Sequence, residues 1–314
     1  MLNNKIKKSH FKKDFKQILK EWQLYLMFLP GFVVLLIFAY IPMYGIVLAF
    51  KEYSPVFGIL DSPWVGFENI KYAVMSYGFY RLVRNTLALG LLKLIFAFPS
   101  SIILALLINE LRIGLFKKFV QTVSYLPYFI SWVIVASIAY MFLSTDYGVI
   151  NDLLSSLGID KIQWYASPQY WRGIITITNI WKNTGWGTIV FLAGLTAISP
   201  DLYEAARCDG AGRFKQVLHI SLPGIMPVIG MTFILSVAGI VKDDFEQIYA
   251  LVGQNSELYA TVDVLGTWMY RGLRGNFRGW GEVTAVGFIQ SIVGFLLMVG
   301  ANWLVKRSDN KGLW

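Results

Sequence analysis

Hydrophobic positions in this chain come in long blocks separated by short polar stretches. Six blocks stay predominantly apolar over about the 20 residues a membrane-crossing helix needs. They lie near residues 24–50, 84–109, 119–143, 174–197, 223–242 and 283–305. The pattern predicts six transmembrane helices. Pro99, Pro127 and Pro227 fall inside or beside them. They are compatible with spans, because neighbouring helices re-satisfy the backbone groups that a proline frees. The first block is too long for a signal-peptide core and shows no A-x-A cleavage pattern, so it reads as a retained span. The predicted fold is therefore all-α: a polytopic membrane protein with one membrane domain over 24–306, a basic segment at 1–23 and a tail at 307–314.

Six spans place both termini on one side, and the basic residues choose which. Lys5, Lys7, Lys8, Lys12, Lys13, Lys16 and Lys20 precede the first span. Arg112, Lys117 and Lys118 lie between the second and third, and Arg207, Arg213 and Lys215 between the fourth and fifth. Lys306, Arg307 and Lys311 close the chain. By the positive-inside rule the termini and the 198–222 connection are cytoplasmic, and the loops near 51–83, 144–173 and 243–282 are outside. The 1–23 segment reads as an interfacial helix on anionic membrane lipid.

Composition sharpens this picture. Charged residues are 15% of the 314 and aromatic residues 16%. A soluble domain carries about a quarter charged residues. The net charge of +9 follows from basic membrane edges, so no nucleic-acid partner is expected. One Cys and two His leave no disulfide framework and no basis for a metal site. There is no G-x-x-x-x-G-K-[ST], H-E-x-x-H, G-x-S-x-G or C-x-x-C in the chain. No catalytic residue is assigned. If the protein uses ATP, another chain must hydrolyse it.

The polar connection between the fourth and fifth spans is the most informative stretch. Ser199-Pro200 opens a helix as N-cap and first residue. Asp201 and Glu204 suit its positive end, and Gly210 suits a left-handed helix stop. A second short helix is expected over 212–220, stopped by Leu222-Pro223, where the fifth span would begin. Leu202, Ala205, Ala206, Val217 and Leu218 are expected to pack. Glu204, Arg207, Asp209, Arg213 and Lys215 would face water or a partner.

The pattern E-A-A, three residues, Gly, nine residues, I-x-L-P is complete at Glu204, Ala205, Ala206, Gly210, Ile220, Leu222 and Pro223. It resembles the EAA loop of ABC-importer permeases. "WVGFENI" (Trp64–Ile70), "RNTL" (Arg84–Leu87), "DVLGTWMYRG" (Asp263–Gly272) and "TAVGFIQSIVGFLLMVGANWLVKR" (Thr284–Arg307) are similar to the LplB-like, carbohydrate-type branch of those permeases. The resemblance implies a type I ABC-importer permease fold in a bacterial plasma membrane. It implies a second, different permease, two ATPase subunits that use ATP and Mg, and an extracellular sugar-binding lipoprotein. No cofactor would be bound by this chain. The residues Glu204, Ala205, Ala206, Arg207, Asp209, Gly210, Ile220, Leu222 and Pro223 would then couple to the ATPase, with the small alanines permitting close packing and Gly210 making the bend.

Sugars are bound by aromatic faces and hydroxyl-seeking polar groups. The fourth span offers Asn179, Trp181, Lys182, Asn183 and Trp186, and the end of the fifth offers Asp243 and Asp244. These are candidate pathway residues. A mid-span lysine costs roughly 2.5–3.5 kcal/mol on insertion scales, so Lys182, and Lys93 in the second span, should face a cavity or a protein partner. The alternative for Lys182 is a purely structural pairing with an acidic residue, and for Lys93 the structural role is the favoured one. A membrane-embedded lipid or glycan-processing enzyme is the competing function; it would need clustered carboxylates with partners, and Asp243 and Asp244 are the one close pair. A secondary transporter would suggest inverted repeats, which the chain does not display.

Overall fold

A computed structural model describes residues 20–111, 114–274 and 279–309. Most of the basic 1–23 segment, Arg112, residues 275–278 and residues 310–314 lie outside the described residues. Among the described residues the chain is helical apart from loops and two isolated bridges, one of them between Lys51 and Trp64. Three helices are individually long and apolar enough to cross a membrane: Trp22–Phe50, Phe79–Asn109 and Trp280–Arg307. Three helix pairs reach the same test only together, each across a bend. They are Gly114–Phe129 with Trp132–Leu143 (98°), Pro168–Thr196 with Pro200–Cys208 (72°), and Arg213–Gly224 with Met226–Val241 (62°). We call these the first to sixth spans in chain order.

Prolines shape the continuous helices in a regular way. A widened π turn occurs at Leu36–Tyr40, at Lys93–Ala97 and at Val217–Ser221. Each ends two residues before a proline, at Pro42, Pro99 and Pro223 respectively. A proline ring collides with the carbonyl four residues back and offers no N–H. The wider turn relieves that collision without ending the helix. Pro223 therefore does not stop the second hairpin helix, as the sequence suggested. That helix continues through Leu222–Gly224, and the chain bends at Ile225 instead.

The third span differs more. The sequence suggests one helix over 119–143. The chain instead breaks near Ile130, after a tight turn at Leu126–Phe129. A new helix, Trp132–Leu143, starts there, with the Ser131 hydroxyl accepting from the Ile134 N–H. Every residue from Leu126 to Ile130 is apolar or aromatic, so hydropathy passes over the break.

The fourth span is the axis of the bundle. Toward one end Trp171 and Ile175 pack with Leu89, Ile248, Leu251, Leu258 and Val262. Toward the other, Phe191, Leu192 and Leu195 pack with Ala105, Ile108 and Ile225. Between them Gly185 lies directly against the Ser124 carbonyl, where a Cβ would overlap backbone. This close approach seats the fourth span on the third just before its break. The first helical segment, Trp22–Leu35, buries none of its residues, as fits a helix covered by lipid.

The end of the bundle away from the hairpin is held by polar hubs. Asn85 is fully buried; its amide donates to the carbonyls of Tyr259, Ala260 and Asp263, and its Oδ1 accepts from Arg84 and Arg172. Lys51 is also buried and donates to the Ile59 and Leu60 carbonyls that end a short helix.

Candidate functional site: a surface hairpin and a polar cavity

The hairpin forms from local rules. The Ser199 hydroxyl accepts from the Asp201 N–H, and helix Pro200–Cys208 follows. Gly210 takes φ +77°. The Ala211 N–H then reaches back to the Ala206 carbonyl (2.8 Å) and the Gly210 N–H to Arg207 (3.1 Å). This is the paired closure of a helix that ends on a left-handed glycine. The chain re-enters a helix at Arg213. The Tyr203 and Ser221 hydroxyls, 3.0 Å apart, tie the two arms together, and Gln216 donates to the Ala211 carbonyl.

The outer face of this hairpin is less polar than the sequence reading allowed. Glu204, Arg207, Asp209, Arg213 and Lys215 are exposed, as expected. Ala206, Val217, Ile220 and Leu222 are half-buried. Ala205 and Pro223, however, are exposed, and Leu202, Leu218 and Phe214 are 54%, 47% and 79% exposed. The expected internal packing of Leu202, Ala205 and Leu218 does not occur, because the arms meet through Tyr203 and Ser221. These side chains are left uncovered on the hairpin that also exposes Glu204.

The second feature is a cavity of about 430 Å³ between the second, fourth and fifth spans. Its wall includes Lys93, Ser101, Tyr128, Asn183, Trp186, Asp243 and Asp244. A second space of about 770 Å³ adjoins it along the break in the third span and the start of helix Phe245–Val252, and it shares Tyr128, Asn183, Asp243 and Asp244. The sequence did not mark Tyr128. Its ring stacks on Trp186 with centroids 4.4 Å apart and planes 5° from parallel.

The two aspartates are not simply in water, and they do have partners. Asp244 accepts from Lys93 (2.6 Å) and from Asn179 (3.1 Å), yet its side chain is still half exposed. Asn179 also donates to the buried Gln247, which in turn donates to the Ile175 carbonyl and the Thr178 hydroxyl. Asp243 accepts from the Gly266 N–H at 2.7 Å. Burial raises the Asp243 carboxyl above the usual carboxylate range, and the Gly266 bond offsets part of that rise.

The remaining fourth-span candidates separate. Asn183 and Trp186 face the cavity. Asn179 stands behind Asp244. Trp181 is 47% exposed and lines neither space. Lys182 borders the second space but is 7% exposed, and among the described residues no carboxylate lies within ion-pair distance of it. It donates to the carbonyls of Tyr128 (2.5 Å), Ile130 (2.7 Å) and Pro127 (3.5 Å). The pairing with an acidic residue that the sequence suggested for Lys182 is therefore not seen among the described residues; its partners are backbone carbonyls. Among the described residues no group of three or more His, Cys, Asp or Glu could hold a metal ion.

A helical membrane bundle with broken spans, a polar cavity along them and an uncovered hairpin at one end is the architecture of a transport permease. Residues 97–310 match the family described as binding-protein-dependent transport system inner membrane component, and the chain belongs to that family. It is 44% identical over 295 residues to the protein LplB of Bacillus subtilis (strain 168), covering 94% of this chain and 91% of that one. It is 42% identical over 310 residues to the polygalacturonan/rhamnogalacturonan transport system permease protein YteP of the same organism, covering 98% and 95%. It also superposes on a chain of a bacterial ABC transporter involved in the import of the acidic polysaccharide alginate. That match has a TM-score of 0.83 and 39% identity, and covers 93% of this chain and 98% of the other. A second structure of an alginate transporter, in complex with alginate pentasaccharide-bound periplasmic protein, gives a TM-score of 0.84.

Proposed function

We propose that this chain forms half of the pathway through a bacterial ABC importer for an oligosaccharide. In this reading it is a multi-pass plasma-membrane subunit with both termini and the Ser199–Pro223 hairpin in the cytoplasm. A second, different permease supplies the other half. An extracellular sugar-binding lipoprotein delivers the substrate to the far end. Two ATPase subunits bind ATP and Mg, and one of them seats on the hairpin.

The observation that carries the reading is the uncovered hairpin face. Leu202, Ala205, Phe214 and Leu218 are exposed on the same hairpin as the exposed Glu204, without cover from the described residues. Apolar and small side chains let a helix seat closely on a partner, while a central carboxylate fixes its register by charge-assisted bonding. Closure of the ATPases would then be transmitted through the hairpin into the fourth and fifth spans, to which it is continuous. The cavity supports the substrate class. Aromatic faces at Tyr128 and Trp186 suit sugar C–H surfaces. Asn183 and the half-exposed Asp244 suit hydroxyl groups. The polygalacturonan, rhamnogalacturonan and alginate in the names of its relatives support a polysaccharide fragment as the substrate.

The test is uptake of labelled polygalacturonan oligosaccharides by membrane vesicles that carry the complete importer. Uptake is expected to stop when ATP is withdrawn and to survive ionophores. Uptake that follows the ion gradient instead would overturn the reading. Asn183→Ala combined with Trp186→Ala is expected to lower uptake roughly tenfold or more, from one lost polar contact and one lost aromatic face. Co-purification of the variant with its partners checks that assembly is unaffected.

A further inference from the structure

We propose that Lys182 is a positioning residue: its ammonium caps the carbonyl ends of the break in the third span and thereby holds Tyr128 against Trp186 as a fixed wall of the cavity. The inference rests on the pathway reading above.

The break poses a physical problem. Carbonyls in an interrupted span lose their helical partners, and such a break is tolerated only where protein or a cavity, not lipid, surrounds it. An unsatisfied buried carbonyl is costly. Lys182 answers this from another helix. Its ammonium donates closely to the Tyr128 and Ile130 carbonyls and at 3.5 Å to that of Pro127, which also accepts from the Ile130 N–H. The ammonium also lies 5.3 Å from the centroids of both Tyr128 and Trp132, the aromatic residues on either side of the break, a distance at which the ring faces attract a cation. Gly185, one turn further along, meets the Ser124 carbonyl and fixes the separation of the two helices.

The consequence concerns Tyr128. Its carbonyl accepts from Lys182 while its ring stacks on Trp186, four residues further along the same helix face as Lys182. One turn of the fourth span thus grips the Tyr128 backbone with a charge and its side chain with a ring. Lys93 occupies a comparable depth in the second span but pairs with Asp244 and exposes that carboxylate to the cavity. The two intramembrane lysines therefore divide their roles: Lys93 orients a group that faces the cavity, and Lys182 orients the backbone that carries one. Lys182 itself needs no contact with the substrate.

The experiment has two arms. The first needs no substrate: hydrogen–deuterium exchange of the full chain in its assembled complex, comparing wild type, Lys182→Met and Lys182→Arg. Lys182→Met is expected to raise exchange in residues 126–131 at least roughly tenfold, with the sixth span unchanged. Lys182→Arg retains charge and donors and should restore most of the protection. Unchanged exchange in Lys182→Met, or a rise throughout the chain, would overturn the proposal.

The second arm is a cycle read by uptake of polygalacturonan oligosaccharides. Lys182→Met and Tyr128→Ala are each expected to lower uptake, and the double variant to be no worse than the weaker single one, because both act through one ring. Additive losses would mean that Lys182 does not act through Tyr128. If wild type transports none of this probe, the substrate reading fails, while the exchange arm still decides the role of Lys182.

Discussion

Vesicles whose permease carries Gly210→Asp are expected to take up no measurable sugar, although the chain inserts normally. Gly210 sits at φ +77° with nothing within 4 Å of where a Cβ would stand. A side chain there meets no neighbour among the described residues. The conformational cost of a left-handed aspartate is small, about 1 kcal/mol, because its short polar side chain tolerates that region. Stability of the isolated chain should therefore barely change. The large effect falls on whatever seats against the turn, since a charged carboxylate then projects from the tip between the two arms. Uptake and partner-stimulated ATP hydrolysis check the first half of this expectation, and thermal unfolding of the solubilised chain checks the second. Near-normal uptake by the variant would remove the hairpin from the coupling route.

The second large effect lies at the opposite end. Asp263→Ala is expected to destabilise the chain by about 1.5–3 kcal/mol, the range for lost hydrogen bonds to a charged group, because the arginine left behind is itself 27% exposed and keeps access to water. The Asp263 side chain is only 2% exposed. Arg271 donates to both of its oxygens, at 2.8 and 2.9 Å, Thr267 donates at 2.8 Å, and Arg81 stands 3.6 Å away. Its backbone carbonyl also holds Asn85. One carboxylate thus joins helix Leu265–Arg274 to the start of the second span. Arg81→Ala should cost much less, since that side chain is 40% exposed and Arg271 still neutralises Asp263. A clear drop in melting temperature of the solubilised chain for Asp263→Ala, and little change for Arg81→Ala, is the expected pattern. Equal melting of Asp263→Ala and wild type would show that the hub does not hold this end.

Local rules made the hairpin readable in advance. The Ser199 cap, the Gly210 turn and the restart near Arg213 each depend on neighbours within a few residues. Block hydropathy likewise falls on the three continuous candidate spans and on the three bent helix pairs. What escaped depended on distant partners. The break at Leu126–Ile130 is apolar or aromatic throughout, and the group that makes it tolerable comes from Lys182, more than fifty positions along the chain. Tyr128 was missed for the same reason: its stacking partner belongs to another span. The uncovered leucines of the hairpin were read as packing residues because amphipathic spacing marks which side chains seek cover. It does not say whether the cover comes from the same chain. Asp263 was visible only as one letter in a family motif, and its burial between two arginines is a property of the folded far end.

The most direct test of the central claim is co-purification from mildly solubilised membranes, comparing wild type with Glu204→Lys. Glu204 is exposed, so the substitution should leave this chain folded. The account predicts that wild type brings down a second permease, a sugar-binding lipoprotein and ATPase, and that Glu204→Lys loses the ATPase copy seated on this chain, lowering the ATPase recovered per permease while the other partners stay. An unchanged ratio of ATPase to permease in the variant, or absence of the ATPase from wild type under conditions that keep the two permeases together, would contradict it.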